Sequence, residues 1–247
     1  MSGKTIFITG GNKGIGYQLV SLLSSDSSNV ILVAIRDVNS PSAALAQLVK
    51  DNSKIKLVQL ELSHQEDIDS IPNQIDSILG KDAAIDLFLS NAGIGDDMEK
   101  TIEATDAKKW QRHYHINSLA PILTFQKIYP YLKRSQYKQA VFTSSILGSI
   151  GDYYPTSTAA YGQSKAALNY TVKALSEELK EEGFAIVAIH PGVVATDLLK
   201  ESGLELGGYN VITEKEAAER QIVLFKKLSK EFNGKFWDAS SDKELTW

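Results

Sequence analysis

The sequence contains no cysteine, and this absence removes several classes of function at once. Without thiols the chain has no disulfides, no thiolate metal sites and no cysteine nucleophile. Positive charge is not in excess either, because 26 Lys and Arg residues against 30 Asp and Glu residues give a formal net charge of -4. A chain with this balance offers no basic surface to a polyanion, so we expect no nucleic-acid partner.

Long apolar runs are also missing. No stretch of the sequence approaches the ~18 apolar residues that a membrane-spanning helix needs. The amino terminus enters a β-rich run at residues 5–9 without the charged and apolar pattern of a signal peptide. We therefore expect a cytoplasmic protein with no membrane partner. No linker interrupts the 247 residues, which favours a single domain over residues 1–247.

Short β-rich runs alternate with helical patterns along most of the chain. The runs lie at residues 5–9, 30–35, 55–60, 85–90, 140–143 and 185–189, with residues 234–237 as a seventh candidate. Such alternation is typical of βαβ units, in which helices cover both faces of a parallel sheet. The fold class predicted from the sequence is therefore α/β, with a doubly wound parallel sheet of about seven strands.

A glycine-rich turn follows the first of these runs, with the sequence Thr9-Gly10-Gly11-Asn12-Lys13-Gly14-Ile15-Gly16 before a helical pattern at residues 17–23. Glycines between a strand and a helix let the backbone approach a pyrophosphate, whose charge suits the helix amino terminus. The spacing is Gly-x-x-x-Gly-x-Gly, so the common Gly-x-Gly-x-x-Gly fingerprint is not matched. The position of the turn after the first strand still favours a nucleotide site over a plain loop.

Tyr161 and Lys165 stand four residues apart in a segment, residues 159–182, whose apolar spacing predicts an amphipathic helix. Residues at this spacing share one helix face. An ammonium beside a phenol favours the phenolate, so we expect the Tyr161 pKa to lie below its usual ~10. Tyr161 is then a candidate proton donor at neutral pH. The pair alone is more typical of a half-buried aromatic ring beside a solvated charge.

Further short motifs follow in a fixed order. They are Asn91-Ala92-Gly93, Asn117, Ser144-Ser145 and Pro191-Gly192-Val193-Val194-Ala195-Thr196. Together with the glycine turn and Tyr161-x-x-x-Lys165, they make residues 5–196 resemble the short-chain dehydrogenase/reductase family, and in particular its NADP-dependent carbonyl reductases. The resemblance implies a single-domain Rossmann-type fold and hydride transfer with a nicotinamide cofactor. It also implies a homodimer formed through the helices that carry Asn117 and Tyr161.

The resemblance assigns four catalytic residues. Ser145 would orient a substrate carbonyl and Tyr161 would protonate its oxygen, while Lys165 would lower the Tyr161 pKa and bind the nicotinamide ribose. Asn117 would hold a water that links Lys165 to solvent. Ser144 and Ser149 remain alternatives for the serine role, because the interval from Ser145 to Tyr161 exceeds the commonest family spacing. A hydrolase triad is not favoured, since no Gly-x-Ser-x-Gly elbow surrounds Ser145.

The second run ends with Ile35-Arg36-Asp37, where the adenosine ribose of a dinucleotide would lie. A guanidinium suits the 2'-phosphate of NADP, whereas a carboxylate suits the ribose hydroxyls of NAD. Arg36, assisted by Lys13, favours NADP(H), and Asp37 keeps NAD open as the alternative. The predicted cofactor-binding residues are Gly10, Asn12, Lys13, Gly14, Ile15, Gly16, Arg36, Glu61, Leu62, Asn91, Ala92, Gly93, Tyr161, Lys165, Pro191, Gly192, Val194 and Thr196.

The expected function is NADPH-dependent reduction of a ketone or aldehyde, with residues 198–213 as a substrate loop. Tyr and Leu in this loop and in residues 148–160 favour an apolar or aromatic carbonyl compound. Alcohol oxidation in the same site and a non-catalytic NADP-binding sensor remain alternatives. No metal is expected, because His113 and His115 have no carboxylate at ligand spacing.

Overall fold

The computed structural model describes residues 3–96, 98, 101–154, 158–204 and 208–247. Its strands in chain order are β1 (Thr5–Thr9), β2 (Val30–Ile35), β3 (Ile55–Gln59), β4 (Leu87–Ser90), β5 (Gln139–Thr143), β6 (Ala185–His190), β7 (Val193–Val194), β8 (Val211–Ile212), β9 (Phe236–Asp238) and β10 (Lys243–Leu245). Eight of these form one sheet in the order β10-β9-β6-β5-β4-β1-β2-β3, while β7 and β8 pair separately.

The strand order reverses at β1, which lies between β2 and β4. All neighbours in the large sheet are parallel except the last pair, in which β10 runs antiparallel to β9. The predicted doubly wound, Rossmann-type sheet of about seven strands is therefore confirmed, with β10 as an additional edge strand. In such a sheet ligands bind beyond the carboxyl ends of the strands, where the order reverses.

Helices cover both faces of the sheet. They are α1 (Gly14–Ser24), α2 (Ala43–Asp51), α3 (Gln65–Leu79), α4 (Ala107–Tyr114), α5 (Ala120–Arg134), α6 (Ala159–Glu178), α7 (Asp197–Glu201) and α8 (Glu214–Lys227). None of the helices in the described ranges is long and apolar enough to cross a membrane.

Alternate residues of each strand supply two separate cores. Phe7 of β1 packs in a cluster with buried side chains of α3, α5 and α6. Its neighbours Ile6 and Ile8 belong to a second cluster, with side chains of α1, α2 and α8. Successive side chains of a strand point to opposite faces, so both sides of β1 are apolar, as a central parallel strand requires.

A widened turn joins α4 to α5. Residues His115–Leu119 form a π-helical turn, in which the Ala120 N–H donates to the His115 carbonyl. The sequence of residues 106–132 predicts one long helix interrupted near Pro121, and the observed interruption ends two residues before that proline. A proline has no N–H for the i-4 carbonyl and its ring crowds that carbonyl, which accounts for the wider turn. Asn117 lies inside this turn.

Two loops frame the carboxyl end of the sheet. The predicted substrate loop, residues 198–213, contains most of α7 and ends with β8, and its residues 205–207 lie outside the described ranges. The loop before α6 begins after Ser145, and its residues 155–157 also lie outside them. The carbonyl of Trp247 accepts hydrogen bonds from the backbone of Ile150 and Gly151, so the end of the chain braces this second loop.

Candidate active site

A cleft of about 1780 Å³ follows the carboxyl ends of the parallel strands. Sites for single small molecules are usually ~300–1,000 Å³, so this cleft has room for a dinucleotide and a substrate together. All the cofactor-binding residues predicted from the sequence line the cleft, and so do Ser145, Tyr161 and Lys165 of the predicted catalytic residues. Asn117 is fully buried behind the cleft wall.

The glycine turn lies at one end of the cleft. Gly10 and Gly14 have φ angles of 72° and 63°, which favour glycine. A Cβ on Gly16 would lie 2.2 Å from the Gly10 carbonyl oxygen and 2.6 Å from Nδ2 of Asn91. The first turn of α1 contains no acidic residue, and no side chain caps it. Its backbone N–H groups and the helix dipole therefore suit an anion in the cleft.

Asn91 braces the strand beside this turn. Its side-chain amide donates to the Thr9 carbonyl over 3.1 Å, and the Thr9 hydroxyl accepts from the backbone N–H groups of Asn91 and Ala92, each over 3.0 Å. These bonds tie the ends of β1 and β4 together at the bottom of the cleft.

Three charged residues lie near the predicted adenosine end. Arg36 is exposed, and the Asp37 carboxylate beside it accepts the Asn39 N–H over 2.9 Å, so it is engaged in its own turn. The Lys13 ammonium forms an ion pair with Asp197 of α7 over 2.9 Å. The turn and the start of α7 are thus joined by an ion pair that the sequence did not predict.

Tyr161 occupies the first turn of α6, facing Ser145. The Ser145 side chain lies close enough to the phenol to lower its pKa as a hydrogen-bonding group, and its hydroxyl accepts the Leu147 N–H over 3.2 Å. The two alternative serines have other partners: Ser144 donates to Asn169 over 2.6 Å and Ser149 donates to the Thr246 carbonyl over 2.7 Å. The geometry therefore favours Ser145 for the serine role.

The expected low pKa of Tyr161 is wrong for this structure. Burial raises the pKa of Tyr161 to about 12, against the smaller lowering effect of the Ser145 hydrogen bond. Lys165 lies 5.8 Å from the ring centroid and donates to the Thr143 carbonyl over 2.8 Å. Burial also lowers the pKa of Lys165 to about 8. Desolvation disfavours both charged forms, so Tyr161 is a protonated phenol at neutral pH.

Asn117 holds the loop after β4. Its Oδ1 accepts the Ile94 N–H over 2.9 Å, while Nδ2 donates to the Ile94 carbonyl over 3.0 Å and to the Ser164 hydroxyl over 3.1 Å. A Cβ on Gly93 would lie 3.1 Å from Asn117 Oδ1 and 3.6 Å from Lys165 Nζ, so Gly93 separates these two groups. The role of Asn117 in holding a water stays a prediction.

The substrate side of the cleft has an apolar wall and an aromatic rim. Ile146, Leu147, Leu198 and Leu204 line the wall. Tyr154 and Tyr209 come from the two framing loops, with rings 6.1 Å apart and hydroxyls in contact. Both loops contain Tyr in the sequence, but a contact between Tyr154 and Tyr209 is not predictable from it, because the loops are far apart in the chain.

His190 is a cleft residue that the sequence analysis missed. It ends β6, directly before Pro191, and its side chain is buried. Burial lowers the pKa of His190 to about 4, despite the nearby negative charge of Asp238. One feature of the sequence indicates that His190 lines the cleft, which is its position at a predicted strand end, directly before the Pro-Gly motif.

The sheet order and the cleft at its carboxyl edge define a Rossmann-type α/β fold, and comparison with known proteins gives the family. Residues 4–206 match the family model described as short chain dehydrogenase, and the chain belongs to that family. An uncharacterized oxidoreductase of Saccharomyces cerevisiae is 42% identical over 248 residues, covering 95% of this chain and 94% of that protein. The short-chain dehydrogenase srdF of Neurospora crassa is 33% identical over 259 residues, covering 98% and 97%.

Solved structures give the same result. An NADPH-bound carbonyl reductase from chicken fatty liver superposes with a TM-score of 0.89 at 27% identity, covering 100% of this chain and 95% of that one. The carbonyl reductase Sniffer of Drosophila melanogaster superposes with a TM-score of 0.87 at 26% identity, covering 99% of each chain.

Proposed function

We propose that the protein is an NADPH-dependent carbonyl reductase that converts a ketone or aldehyde to an alcohol. The observation that carries the proposal is the meeting of Ser145, Tyr161 and Lys165 in the wall of one cleft at the carboxyl edge of the sheet, where burial keeps the Tyr161 phenol protonated. The similarity to two carbonyl reductases, one of them bound to NADPH, supports it.

The residues around the cleft fit a phosphorylated dinucleotide. A Cβ on Gly14 would have no neighbouring atom closer than 3.8 Å, so the uncapped start of α1 offers open space where a pyrophosphate would lie. Arg36 would bind the 2'-phosphate, since its guanidinium is exposed and the Asp37 carboxylate is already used in a turn. Lys13 would assist only after leaving Asp197.

The proposed chemistry is the addition of a hydride and a proton across a carbonyl group. When bound, NADPH supplies the hydride, which becomes bonded to the carbonyl carbon. The Ser145 and Tyr161 hydroxyls hold the carbonyl oxygen, and Tyr161 donates its proton to that oxygen. The alcohol and a tyrosinate remain. The nearby Lys165 ammonium stabilises the tyrosinate until it is reprotonated.

The raised Tyr161 pKa supports the reductive direction at neutral pH. Reduction needs the phenol as an acid, whereas oxidation of an alcohol needs the phenolate as a base. A pKa of about 12 keeps the acid form at neutral pH, which favours reduction. A non-catalytic sensor would have no use for a proton donor placed between Ser145 and Lys165.

Tyr161→Phe tests the proposal. It removes the proton donor but keeps the ring, so we expect kcat/KM for NADPH-dependent reduction across a panel of ketones and aldehydes to fall about 10²–10⁴-fold. NADPH binding, followed by the change in cofactor fluorescence, should weaken much less, because Tyr161 is one of many predicted cofactor-binding residues. Tyr170→Phe is the matched control, because Tyr170 lies on the same helix and is 78% exposed.

Two results would contradict the proposal. Full turnover by Tyr161→Phe would remove Tyr161 from the reaction. Binding of NADPH by the unaltered protein without turnover of any carbonyl in the panel would support the sensor alternative instead.

A further inference from the structure

His113 is a buried titratable residue next to the proposed proton donor. It lies on α4 with 1% of its surface exposed. Its ring centroid is 6.4 Å from that of Tyr161, and the two rings are nearly perpendicular at 87°. This is the edge-to-face arrangement that aromatic rings prefer. The mechanism proposed above gives His113 no role.

Hydrogen bonding fixes the orientation of the imidazole. Nδ1 lies 3.0 Å from the Lys109 carbonyl oxygen, which can only accept, so Nδ1 carries the proton. Nε2 then presents its lone pair. That nitrogen is buried and has no hydrogen-bond partner among the described residues, and Oδ1 of Asp96 is 3.8 Å away. The hydrogen bond between Nδ1 and the Lys109 carbonyl therefore fixes the plane of the ring, whereas Nε2 makes no hydrogen bond to the described residues.

The charged groups around His113 leave it neutral. Asp96 is paired with Lys109 over 3.0 Å and with Arg112 over 2.6 Å, and its pKa is lowered to about 2. The Asp96 charge is thus already compensated by two cations. Burial lowers the pKa of His113 below its ordinary value, more than the charge of Asp96 raises it. The contact of this imidazole with Tyr161 is therefore an aromatic one without a formal charge.

Tyr161 needs an external support because of its place in α6. It stands in the first turn of the helix, and Thr158 before that turn makes no side-chain capping bond. Uncapped helix ends have unsatisfied backbone groups and tend to fray. One turn further in, the side chains of Asn117 and Ser118 hydrogen-bond Ser164. His113, on α4, adds a further contact to α6, at Tyr161 itself.

We infer that His113 is a positioning residue that holds the plane of the Tyr161 ring, so that the phenolic oxygen faces Ser145. The inference rests on the proposed function only for its kinetic consequence, because the ring contact exists without a substrate. The ring of His113 performs this role, and its nitrogens serve only to orient it.

Two substitutions separate the ring from its nitrogens. His113→Phe keeps a flat ring and removes both nitrogens, whereas His113→Asn keeps an amide donor near the position of Nδ1 and removes the ring. We expect kcat of His113→Phe to stay close to that of the unaltered protein. In His113→Asn we expect kcat to fall about tenfold or more, as small misplacements of reacting groups do. KM and NADPH affinity should change little, and both variants should stay folded at the assay temperature.

The possible results divide clearly. A loss in His113→Phe with normal kcat in His113→Asn would assign the role to the nitrogens and overturn the inference. Equal losses accompanied by a lower melting temperature would reduce His113 to a core residue. Normal kcat in both variants would also overturn it. A kcat–pH profile that is superimposable for His113→Phe and the unaltered protein would agree with a neutral imidazole.

A second readout does not depend on turnover. In protein labelled with ¹³C in the tyrosine rings, the Tyr161 signal is assigned by its loss in Tyr161→Phe. We expect its ring flips to be slow in the unaltered protein and in His113→Phe, and fast in His113→Asn. Slow flips in all three proteins would overturn the positioning role. If the flips behave as expected but no carbonyl is reduced, the proposed function fails while the ring contact stands.

Discussion

At the scale of single residues, Arg36 and Asp37 would decide which cofactor is bound. They are neighbours at the end of β2, and both are exposed. The Asp37 carboxylate accepts a backbone N–H two residues later, which fixes it in the turn. No corresponding backbone bond holds the Arg36 side chain in the described structure. The cation is therefore better placed to meet an incoming 2'-phosphate than the carboxylate is to meet ribose hydroxyls.

Arg36→Ala should separate the two nicotinamide cofactors. Loss of a charge-assisted pair with a phosphate would raise the Kd for NADPH by about tenfold to a hundredfold, with little change for NADH. Fluorescence titration with each cofactor measures both values. Lys54→Ala is the control, since it removes an exposed cation that lies outside the cleft. An equal loss for both cofactors would refute phosphate recognition by Arg36.

Sequence order predicted which residues line the cleft, because the ends of parallel strands meet at one edge of the sheet. The electrostatics of those residues were not accessible in the same way. The spacing of Tyr161 and Lys165 indicated a shared face, but the direction of the Tyr161 pKa shift depends on burial by other elements. The partner of Lys13 is 184 residues away in the chain, and no local pattern indicates it.

At the scale of elements, the start of α1 is shaped by contact with the backbone before it. Gly16 belongs to the helix, where alanine is ordinarily better than glycine by about 0.5–1 kcal/mol. Here a Cβ would meet the Gly10 carbonyl oxygen at 2.2 Å, a distance that requires the turn to move. The clash involves backbone and not a flexible side chain, so the usual preference is reversed.

Gly16→Ala should therefore weaken both folding and nucleotide binding. Overpacking of this kind usually costs about 1–3 kcal/mol, which exceeds the gain in helix propensity. Urea denaturation would measure the lower stability, and NADPH titration would measure the weaker binding. Ser21→Ala on the same helix serves as control and should leave NADPH binding unaltered. Higher stability in Gly16→Ala would show that the turn accommodates a methyl group.

The elements that the sequence predicted well are long or strongly apolar. β1 and β2 have the predicted bounds, and α6 begins at the predicted residue. The short strands β7, β8 and β10 contain two or three residues each, too few for a periodicity to be recognised. Their pairing depends on partners that only the folded chain brings near.

At the scale of the whole molecule, distant parts of the chain pack on one sheet. α8 contributes Phe225 to the same core cluster as Leu19 of α1, although they are separated by most of the sequence. β9 adds to the edge of the sheet beside β6, and the Trp247 ring stacks on Phe236 at 5.4 Å. The sequence predicts a single domain over residues 1–247. If these distant parts of the chain unfold together, that prediction holds.

Thermal unfolding tests that prediction. Circular dichroism and tryptophan fluorescence should report one coincident transition, because Trp110 lies on α4 while Trp237 and Trp247 lie at the carboxyl-terminal edge. NADPH at about a hundred times its Kd should add about 2.7 kcal/mol, a shift of about 5–10 °C for a chain of this size. NADH at the same concentration should raise the midpoint less. Two separate transitions would contradict the single domain.

The ion pair between Lys13 and Asp197 has a practical consequence for such measurements. The two side chains are 61% and 50% exposed, so dissolved salt reaches them and screens their attraction. This bridge connects the glycine turn to α7 at one corner of the cleft. High ionic strength would loosen that corner and free Lys13, while it also weakens any attraction between Lys13 and a phosphate. Affinities for phosphorylated ligands are therefore comparable only between buffers of equal ionic strength.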